Sequence, residues 1–123
     1  MGTSSGLPNA DAAYVPRGKV SGYLLSLAHP LGHPKARFFR GLGFDDENAA
    51  MLEAELERLA REGELVRMIP GLFGTRYILE GRIRTPGGGL VSLTTVWLVE
   101  SGKMRPRLVT AYPRKQRLES DDP

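Results

Sequence analysis

Residues 49–69 read AAMLEAELERLAREGELVRMI, and the hydrophobic period of the chain changes inside this stretch, at Gly63. Before the glycine, apolar side chains recur every three or four positions, which is typical of the buried face of an α-helix. This stripe consists of Ala49, Leu52, Leu56, Leu59 and Ala60. After the glycine the period falls to two, as in a β-strand with one buried face. Helices that precede the change and strands that follow it predict an α+β fold.

Three helices are predicted on the N-terminal side of this change. The first covers residues 18–28, whose apolar positions share one face, and the second covers residues 35–42. The third begins after the N-cap candidates Asp45 and Asp46 and ends near Glu62, and its early acidic side chains suit the helix dipole. Its charged face is interpreted as solvated rather than as a metal site, and consists of Glu53, Glu55 and Glu57.

Four strands are predicted on the C-terminal side, and tight turns join them as an antiparallel meander. They cover residues 64–69, 73–85, 90–99 and 108–112. The sequence thus predicts about three N-terminal helices packed on a four-stranded antiparallel β-meander, with the helices on one face of the sheet. The opposite face is expected to carry Arg76, Arg82, Thr94 and either Arg107 or Thr110, depending on the register.

A chain of 123 residues is expected to form one domain, which we assign to residues 7–113. Residues 1–6 are predicted to be a disordered leader, and residues 114–123 a charged flexible tail. No apolar run reaches the ~20 residues of a membrane span, and no signal peptide is recognisable. We therefore expect a cytoplasmic protein with no membrane partner, or alternatively the tip domain of a secreted toxin.

Charge is unevenly distributed along the chain. Residues 45–64 carry a net charge of −6, whereas residues 65–118 carry +8. This pattern predicts an acidic helix on one side of the molecule and a basic sheet face on the other, which favours a nucleic acid or another polyanion as partner. The alternative interpretation is that the arginines are ordinary solvated side chains on exposed strand faces. Since the chain has no cysteine and only two histidines, we expect no metal site and no cofactor.

Residues 29–39 read HPLGHPKARFF and contain both histidines of the chain. Pro30 and Pro34 predict a turn that leads into the second helix. Histidine suits proton transfer near neutral pH, and cations beside it suit a phosphate. His29 is placed at the end of the first helix, where the dipole favours its protonated form, whereas His33 is expected to be extended and to point into solvent. An ordinary loop with two solvated histidines is the alternative interpretation.

Several short motifs form a set that spans residues 7–113. They are LPNAD at 7–11, HPLG at 29–32, KARFF at 35–39, LGF at 42–44, GTRY at 74–77, Gly81, TVW at 95–97 and RLVTAYP at 107–113. Together they resemble an uncharacterised bacterial family, domain of unknown function 6883. That family has no established activity, so this resemblance assigns no function.

The order of helices and strands, with a last strand that reads VTAYP at 109–113, is similar to a group of metal-independent ribonucleases. The group comprises barnase, EndoU, the colicin tRNases and RelE, and many of its toxin tips carry an early His or Lys and a late strand with Arg, Thr or Tyr. The resemblance therefore implies catalytic roles for His29, Lys35, Arg107, Thr110 and Tyr112. The sequence reveals no glutamate on a central strand, as in barnase, and no late second histidine, as in EndoU.

Cleavage of RNA by its own 2′-hydroxyl requires a base, an acid and cations around the phosphorane, and no metal. A histidine can be the base or the acid, and Lys35 and Arg107 can hold the phosphate. Thr110 and Tyr112 can position the scissile group. Further contacts to RNA are expected from Arg37, Arg76, Arg82 and Arg84.

The leading hypothesis is therefore a small metal-independent endoribonuclease of bacterial toxin type, with RNA as its partner. A non-catalytic interaction or immunity-like module is the alternative hypothesis. An immunity or antitoxin protein is the expected protein partner.

Overall fold

The computed structural model describes residues 6–28 and 33–114, and its secondary structure follows the predicted order. Two α-helices precede the sheet, α1 (His33–Gly41) and α2 (Ala49–Glu62). Short helical turns lie at Ala10–Ala12, Val20–Leu24 and Asp46–Asn48. The strands are β1 (Glu64–Gly71), β2 (Gly74–Arg84), β3 (Leu90–Glu100) and β4 (Arg107–Pro113). They form one antiparallel sheet in the order β1-β2-β3-β4, which confirms the predicted α+β meander.

The first predicted helix is a single turn of π-helix, Val20–Leu24, and is shorter than the expected range 18–28. The N–H groups of Leu24 and Leu25 donate to carbonyls five residues earlier, at 2.9 and 2.8 Å. Gly18 precedes the turn with φ of +82°, a left-handed conformation that a helix does not contain. Because the turn ends at Leu24, the predicted helix does not continue to Ala28.

The second helix, α1, begins at His33. This histidine is half-buried and helical, not extended and solvent-facing as the sequence suggested. Pro34 occupies the first turn, where its missing N–H leaves no intrahelical bond unmade. Residues 29–32 of the turn predicted at 29–33, which include His29, lie outside the described residues, as do residues 1–5 of the leader and the tail from residue 115 onward.

The short 3-10 turn Asp46–Asn48, which leads directly into the third helix α2, begins with a capping box. The Asp45 carboxylate accepts hydrogen bonds from the backbone N–H groups of Glu47 and Asn48 at 2.9 and 3.1 Å. In return, Asn48 Oδ1 accepts from the N–H of Asp45 at 2.7 Å. These reciprocal bonds satisfy donors that an uncapped helix would leave free. Asp45 is therefore the cap of this turn, and α2 continues from it after Asn48.

The core lies between the helices and one face of the sheet. The apolar stripe of α2 packs there with Phe39 of α1 and with the inward side chains of the central strands, which are Leu79, Ile83, Leu93 and Trp97. Trp97 Nε1 donates to Thr95 Oγ1 at 2.8 Å, and Thr95 Oγ1 donates to the carbonyl of Leu79 at 3.2 Å. The two buried polar side chains thus satisfy each other inside the core.

The helix α2 closely approaches β2 at Gly81. A Cβ atom at this position would lie 2.9 Å from Cγ of Leu59 on α2, closer than carbon atoms pack. The glycine therefore permits the distance between helix and sheet, and this contact sets how α2 lies across the strands.

Side chains of α2 also complete the edge of β2. The pairing of β1 with β2 ends at Glu64 and Glu80, whereas β2 continues to Arg84. Beyond this point, Glu55 Oε1 accepts the backbone N–H of Arg84 at 2.8 Å, and Arg58 Nη2 lies 3.4 Å from the carbonyl of Arg82. Two side chains of the helix thereby replace part of the missing strand partner.

Glu55 consequently departs from the predicted solvated face, because it is buried. Its carboxylate also accepts a hydrogen bond from Arg58 Nη2 at 2.7 Å. Burial alone raises the pKa of Glu55, but the hydrogen bonds from Arg58 and from the Arg84 backbone outweigh it, so the pKa lies below its ordinary value. The group is therefore an ionised structural link between helix and sheet.

Candidate functional site

The sheet face turned away from α1 and α2 carries rows of polar side chains across β2, β3 and β4. We call it the open face and define it by Glu80, Arg82, Ser92, Thr94, Val96, Thr110 and Tyr112. Arg82 and Tyr112 are exposed on this face, whereas Thr94 and Val96 are buried. Directly paired residues of antiparallel strands share a face. One such row runs through Glu80, Thr94 and Tyr112, and the next joins Arg82 to Ser92. A carboxylate, a guanidinium and hydroxyl groups therefore lie on adjacent positions.

An ion pair crosses the open face. The Nε atom of Arg114 lies 3.1 Å from Glu80 Oε1, and the backbone N–H of Arg114 donates to the carbonyl of Ser92 at 3.0 Å. The side chain thus reaches from the end of β4 over β3 to β2. Between these groups lies a concavity of about 370 Å³, which Glu64, Glu80, Arg82, Ser92 and Arg114 line. We call it the sheet concavity; its size and its mixed charges suit a polar, phosphate-bearing ligand.

The carboxylate of this site was missed by sequence reasoning, which found no glutamate on a central strand. The sheet order makes β2 a central strand, and Glu80 lies in its middle. The alternation of β2 already placed Glu80 on the same face as Arg76 and Arg82. Its partner Arg114, however, was assigned to the flexible tail, so no sequence pattern indicated that Arg114 and Glu80 are in contact.

A β-bulge decides the position of the two alternative residues of the last strand. The register shifts between Val96 and Trp97, so that Thr110 pairs with Val96 and Arg107 pairs with Leu98. The partners on β4 are three residues apart where those on β3 are two apart. The extra residue places both Arg107 and Thr110 on the open face, whereas a regular strand would have allowed only one of them there.

Arg107 is engaged at the far end of this face. Its Nη2 atom lies 3.2 Å from Glu100 Oε2. The hydrogen bond from Arg107 is the main reason why the pKa of Glu100 lies below its ordinary value. Because Arg107 pairs with Leu98, two rows from Thr94, it lies apart from the sheet concavity.

A tyrosine that the sequence did not single out joins two of the predicted residues. The hydroxyl of Tyr23 lies 3.2 Å from Thr110 Oγ1, within hydrogen-bond distance. Two ammonium groups lie over the ring of Tyr23, with Nζ of Lys35 at 5.9 Å and Nζ of Lys19 at 4.8 Å from the ring centroid. Both distances suit cation–π contacts. Lys35 and Thr110 are thus brought to the same edge of the sheet, with Tyr23 between them.

The remaining predicted residues are dispersed. Arg37 is exposed on α1, and Arg76 and Arg84 are exposed on β2. His29 lies outside the described residues, so its distance from the open face is undefined. The cluster of Lys35, Tyr23 and Thr110 therefore adjoins the open face through Thr110, while the two arginines of β2 lie farther along the strand.

The charges of the two sides differ less than the sequence suggested. The helix α2 packs on the core face, opposite Arg76 and Arg82, as predicted. The arginines of the open side, however, are interspersed with carboxylates. Two of the arginines are neutralised in ion pairs, Arg114 with Glu80 and Arg107 with Glu100. The surface is therefore one of mixed charge with local arginine excess.

No group of three histidine, aspartate or glutamate side chains within residues 6–28 and 33–114 has the geometry to hold a metal ion. Every helix in the same ranges is too short or too polar to traverse a bilayer.

Comparison with known proteins identifies a matching family and a solved structure with a similar fold. The model of a family described as "Domain of unknown function (DUF6883)" matches residues 6–115. No curated protein matches the chain. A chain of a contact-dependent growth inhibition toxin–immunity protein complex from Klebsiella pneumoniae 342 superposes with a TM-score of 0.66 and 17% identity, over 87% of this chain and 97% of that one. At this identity the likeness shows a shared fold.

Proposed function

The chain belongs to the DUF6883 family, and from that premise we propose that it is a toxin-type domain that cleaves RNA on its open face without a metal ion. The observation that carries the proposal is the ion pair of Glu80 and Arg114, which lies across the central strands beside Ser92 and Thr94. This reaction requires a carboxylate and guanidinium groups around a concavity that accepts a phosphate-bearing ligand.

In the proposed reaction, the 2′-hydroxyl of the RNA attacks the adjacent phosphorus. The P–O2′ bond forms, the P–O5′ bond breaks, and the products are a 2′,3′-cyclic phosphate and a free 5′-hydroxyl. Glu80 takes the proton of the 2′-hydroxyl, and a general acid gives a proton to the leaving 5′-oxygen. Arg82 and Arg114 balance the charge that builds on the phosphorane oxygens.

The residues implied by the ribonuclease resemblance keep supporting roles in this proposal. Tyr112 lies in the row of Glu80 and is half-exposed, so its hydroxyl is available to position the scissile group. Lys35 and Thr110 flank the face through Tyr23 and supply a cation and a hydrogen-bonding hydroxyl. Arg107 holds a phosphate farther along the strand, and His29 is the proposed general acid.

The experiment incubates the protein with RNA in EDTA and identifies the new ends. We expect 2′,3′-cyclic phosphate and 5′-hydroxyl ends, and a loss on the order of a hundredfold in rate for Glu80→Gln. The control is Glu57→Gln, which removes a carboxylate from α2 on the other side of the sheet. The ion pair of Glu80 is half-exposed, so Glu80→Gln should change the free energy of unfolding by less than about 1 kcal/mol. Cleavage that Glu80→Gln leaves intact would refute the assigned base.

A second candidate function is a toxin- or immunity-type module that binds a protein without catalysis. It is favoured by large apolar side chains at one end of the sheet, where Leu72 and Phe73 are 85% and 77% exposed. The N–H of Ser101 donates to the carbonyl of Phe73 at 2.9 Å, which holds the neighbouring β3–β4 turn beside this tip. The structural neighbour also comes from a toxin–immunity complex.

The salt dependence of RNA binding distinguishes the two proposed functions. Binding of RNA releases counterions and should weaken steeply between about 50 and 200 mM salt. A flat binding constant for RNA over that range, with no cleavage in EDTA, would favour the protein-binding module.

A further inference from the structure

A second cavity lies where β1 ends and β2 continues alone. We call it the edge cavity; its volume is about 350 Å³, and its lining includes Arg58, Glu62, Gly63, Arg82, Arg84 and Leu90. One wall is the C-terminal turn of α2, and the other is the stretch of β2 beyond Glu80, which has no partner on β1. Its place follows from the unequal lengths of the two strands.

The guanidinium groups of this cavity are not equally neutralised. Arg58 lies 2.7 Å from Glu55 and 2.8 Å from Glu62, so both nearby carboxylates are already bound to it. Among residues 6–28 and 33–114, neither Arg82 nor Arg84 lies within ion-pair distance of a carboxylate, although Arg84 is close enough to Glu55 to help lower its pKa. The edge cavity therefore presents an excess of positive charge, on side chains whose ends are exposed.

The edge cavity and the sheet concavity share part of their lining. Gly81 and Arg82 line both, at the point where β2 extends beyond its pairing with β1. A chain of phosphates that crosses the open face can pass Arg82 and continue around this edge toward Arg84. Leu90 is 56% exposed at the same place and offers an apolar surface to a ribose or a base.

We propose that the edge cavity binds a second phosphate of the same RNA strand, and that the substrate is single-stranded RNA. This inference rests on the proposed function, whose substrate it makes specific. An unpaired strand can turn around the end of β2, whereas the stiff, wide A-form duplex cannot follow such a path. Arginine-lined grooves that follow the backbone are typical of single-strand binding.

The test measures equilibrium binding of a fluorescent RNA octanucleotide whose 2′-hydroxyls are all methylated, so that the protein cannot cleave it. Arg84→Gln should weaken binding about three- to tenfold and reduce the slope of log K against log salt by roughly 0.7, the value for one phosphate of a single strand. A dinucleotide should bind both proteins equally, because it is too short to reach the edge cavity. The octanucleotide annealed to its complement should bind at least about tenfold more weakly than the single strand.

The matched control is Arg61→Gln, which removes an exposed arginine of α2 outside both cavities. If Arg84→Gln binds the octanucleotide like Arg61→Gln, or if the duplex binds as tightly as the single strand, the inference is overturned. Because the probe cannot be cleaved, this outcome is separate from catalysis. The expected binding pattern without cleavage of unmodified RNA would refute the ribonuclease and keep the subsite, and cleavage without a role for Arg84 would refute the subsite alone.

Discussion

The two faces of the sheet are formed by the same strands, but one face is apolar and packs in the core while the other carries charged and hydroxyl groups. On the core face, Leu79, Leu93 and Trp97 are completely buried under the helices. One residue farther along each strand, the open face has Glu80 and Thr94 as neighbours, with an arginine bridging from the end of β4. The core face is specified by apolar volume, whereas the open face depends on which charged and hydroxyl groups become neighbours. The difference implies that stability and the proposed activity reside in separable sets of side chains.

The strongest way to test this separation is to damage the core face. Trp97→Ala should lower the free energy of unfolding by about 4 kcal/mol, because a fully buried indole leaves a cavity. Arg76→Ala on the opposite face should change it by less than about 0.5 kcal/mol. Urea denaturation monitored by circular dichroism measures both. If Trp97→Ala is too unstable to purify, Trp97→Phe provides the comparison, and equal losses in the Trp97 and Arg76 variants would contradict the division between faces.

The converse test removes a proposed catalytic group and leaves stability unchanged. His29→Ala should reduce cleavage by about a hundredfold or more, as expected for loss of a general acid. His33→Ala should retain most of the rate, although His33 is a half-buried residue of α1. Rates are compared only between variants with the same thermal unfolding. Near-full activity in both would remove histidine from the mechanism and leave the acid to be found among Lys35 and the groups of the open face.

The alternation of residues within each strand was sufficient to predict the two faces of the sheet. The capping residue Asp45 and the apolar stripe of α2 also carried their own local signals, because caps and helical faces depend on neighbours close in sequence. These elements therefore follow directly from the chain. The correct sheet face of Arg76, Arg82 and Thr94 follows for the same reason.

The contacts of the site depend on pairing between distant segments, which no local pattern encodes. The bulge in β4 placed both Arg107 and Thr110 on the open face, and a single extra residue was enough to do so. Arg114 reaches Glu80 only because the strand register continues past Pro113. Tyr23 reaches Thr110 across 87 residues of sequence. These positions require the tertiary structure. The sequence therefore predicted Arg82, Thr110 and Tyr112 as site residues, but neither Glu80 nor Arg114, and it did not predict their geometry.

Glu55 offers a smaller test, since it connects the helix of the core side to the edge of β2. A lowered pKa in the folded state means that its stabilisation is present above the ordinary glutamate pKa of 4.5 and is lost as the pH falls below that value. Glu55→Gln should therefore lower the free energy of unfolding by about 2 kcal/mol at neutral pH, and by progressively less as the pH falls toward 3. Glu53→Gln on the same helix is the control. A difference between wild type and Glu55→Gln that stays constant with pH would contradict the ionised link.

The smallest expected effect concerns the hydroxyl pair of Tyr23 and Thr110, where the helical side meets the open face. Thr110→Val keeps the shape of the side chain and removes its hydroxyl, so it should cost less than about 1 kcal/mol of stability. If Thr110 positions the reacting group, kcat should fall severalfold while KM changes little. Tyr23→Phe removes the other hydroxyl of the pair, and the double variant should be no worse than the more damaged single variant, because both remove one shared contact. Additive losses in kcat would show that the two hydroxyls act separately, and would leave the 3.2 Å contact as a feature of packing alone.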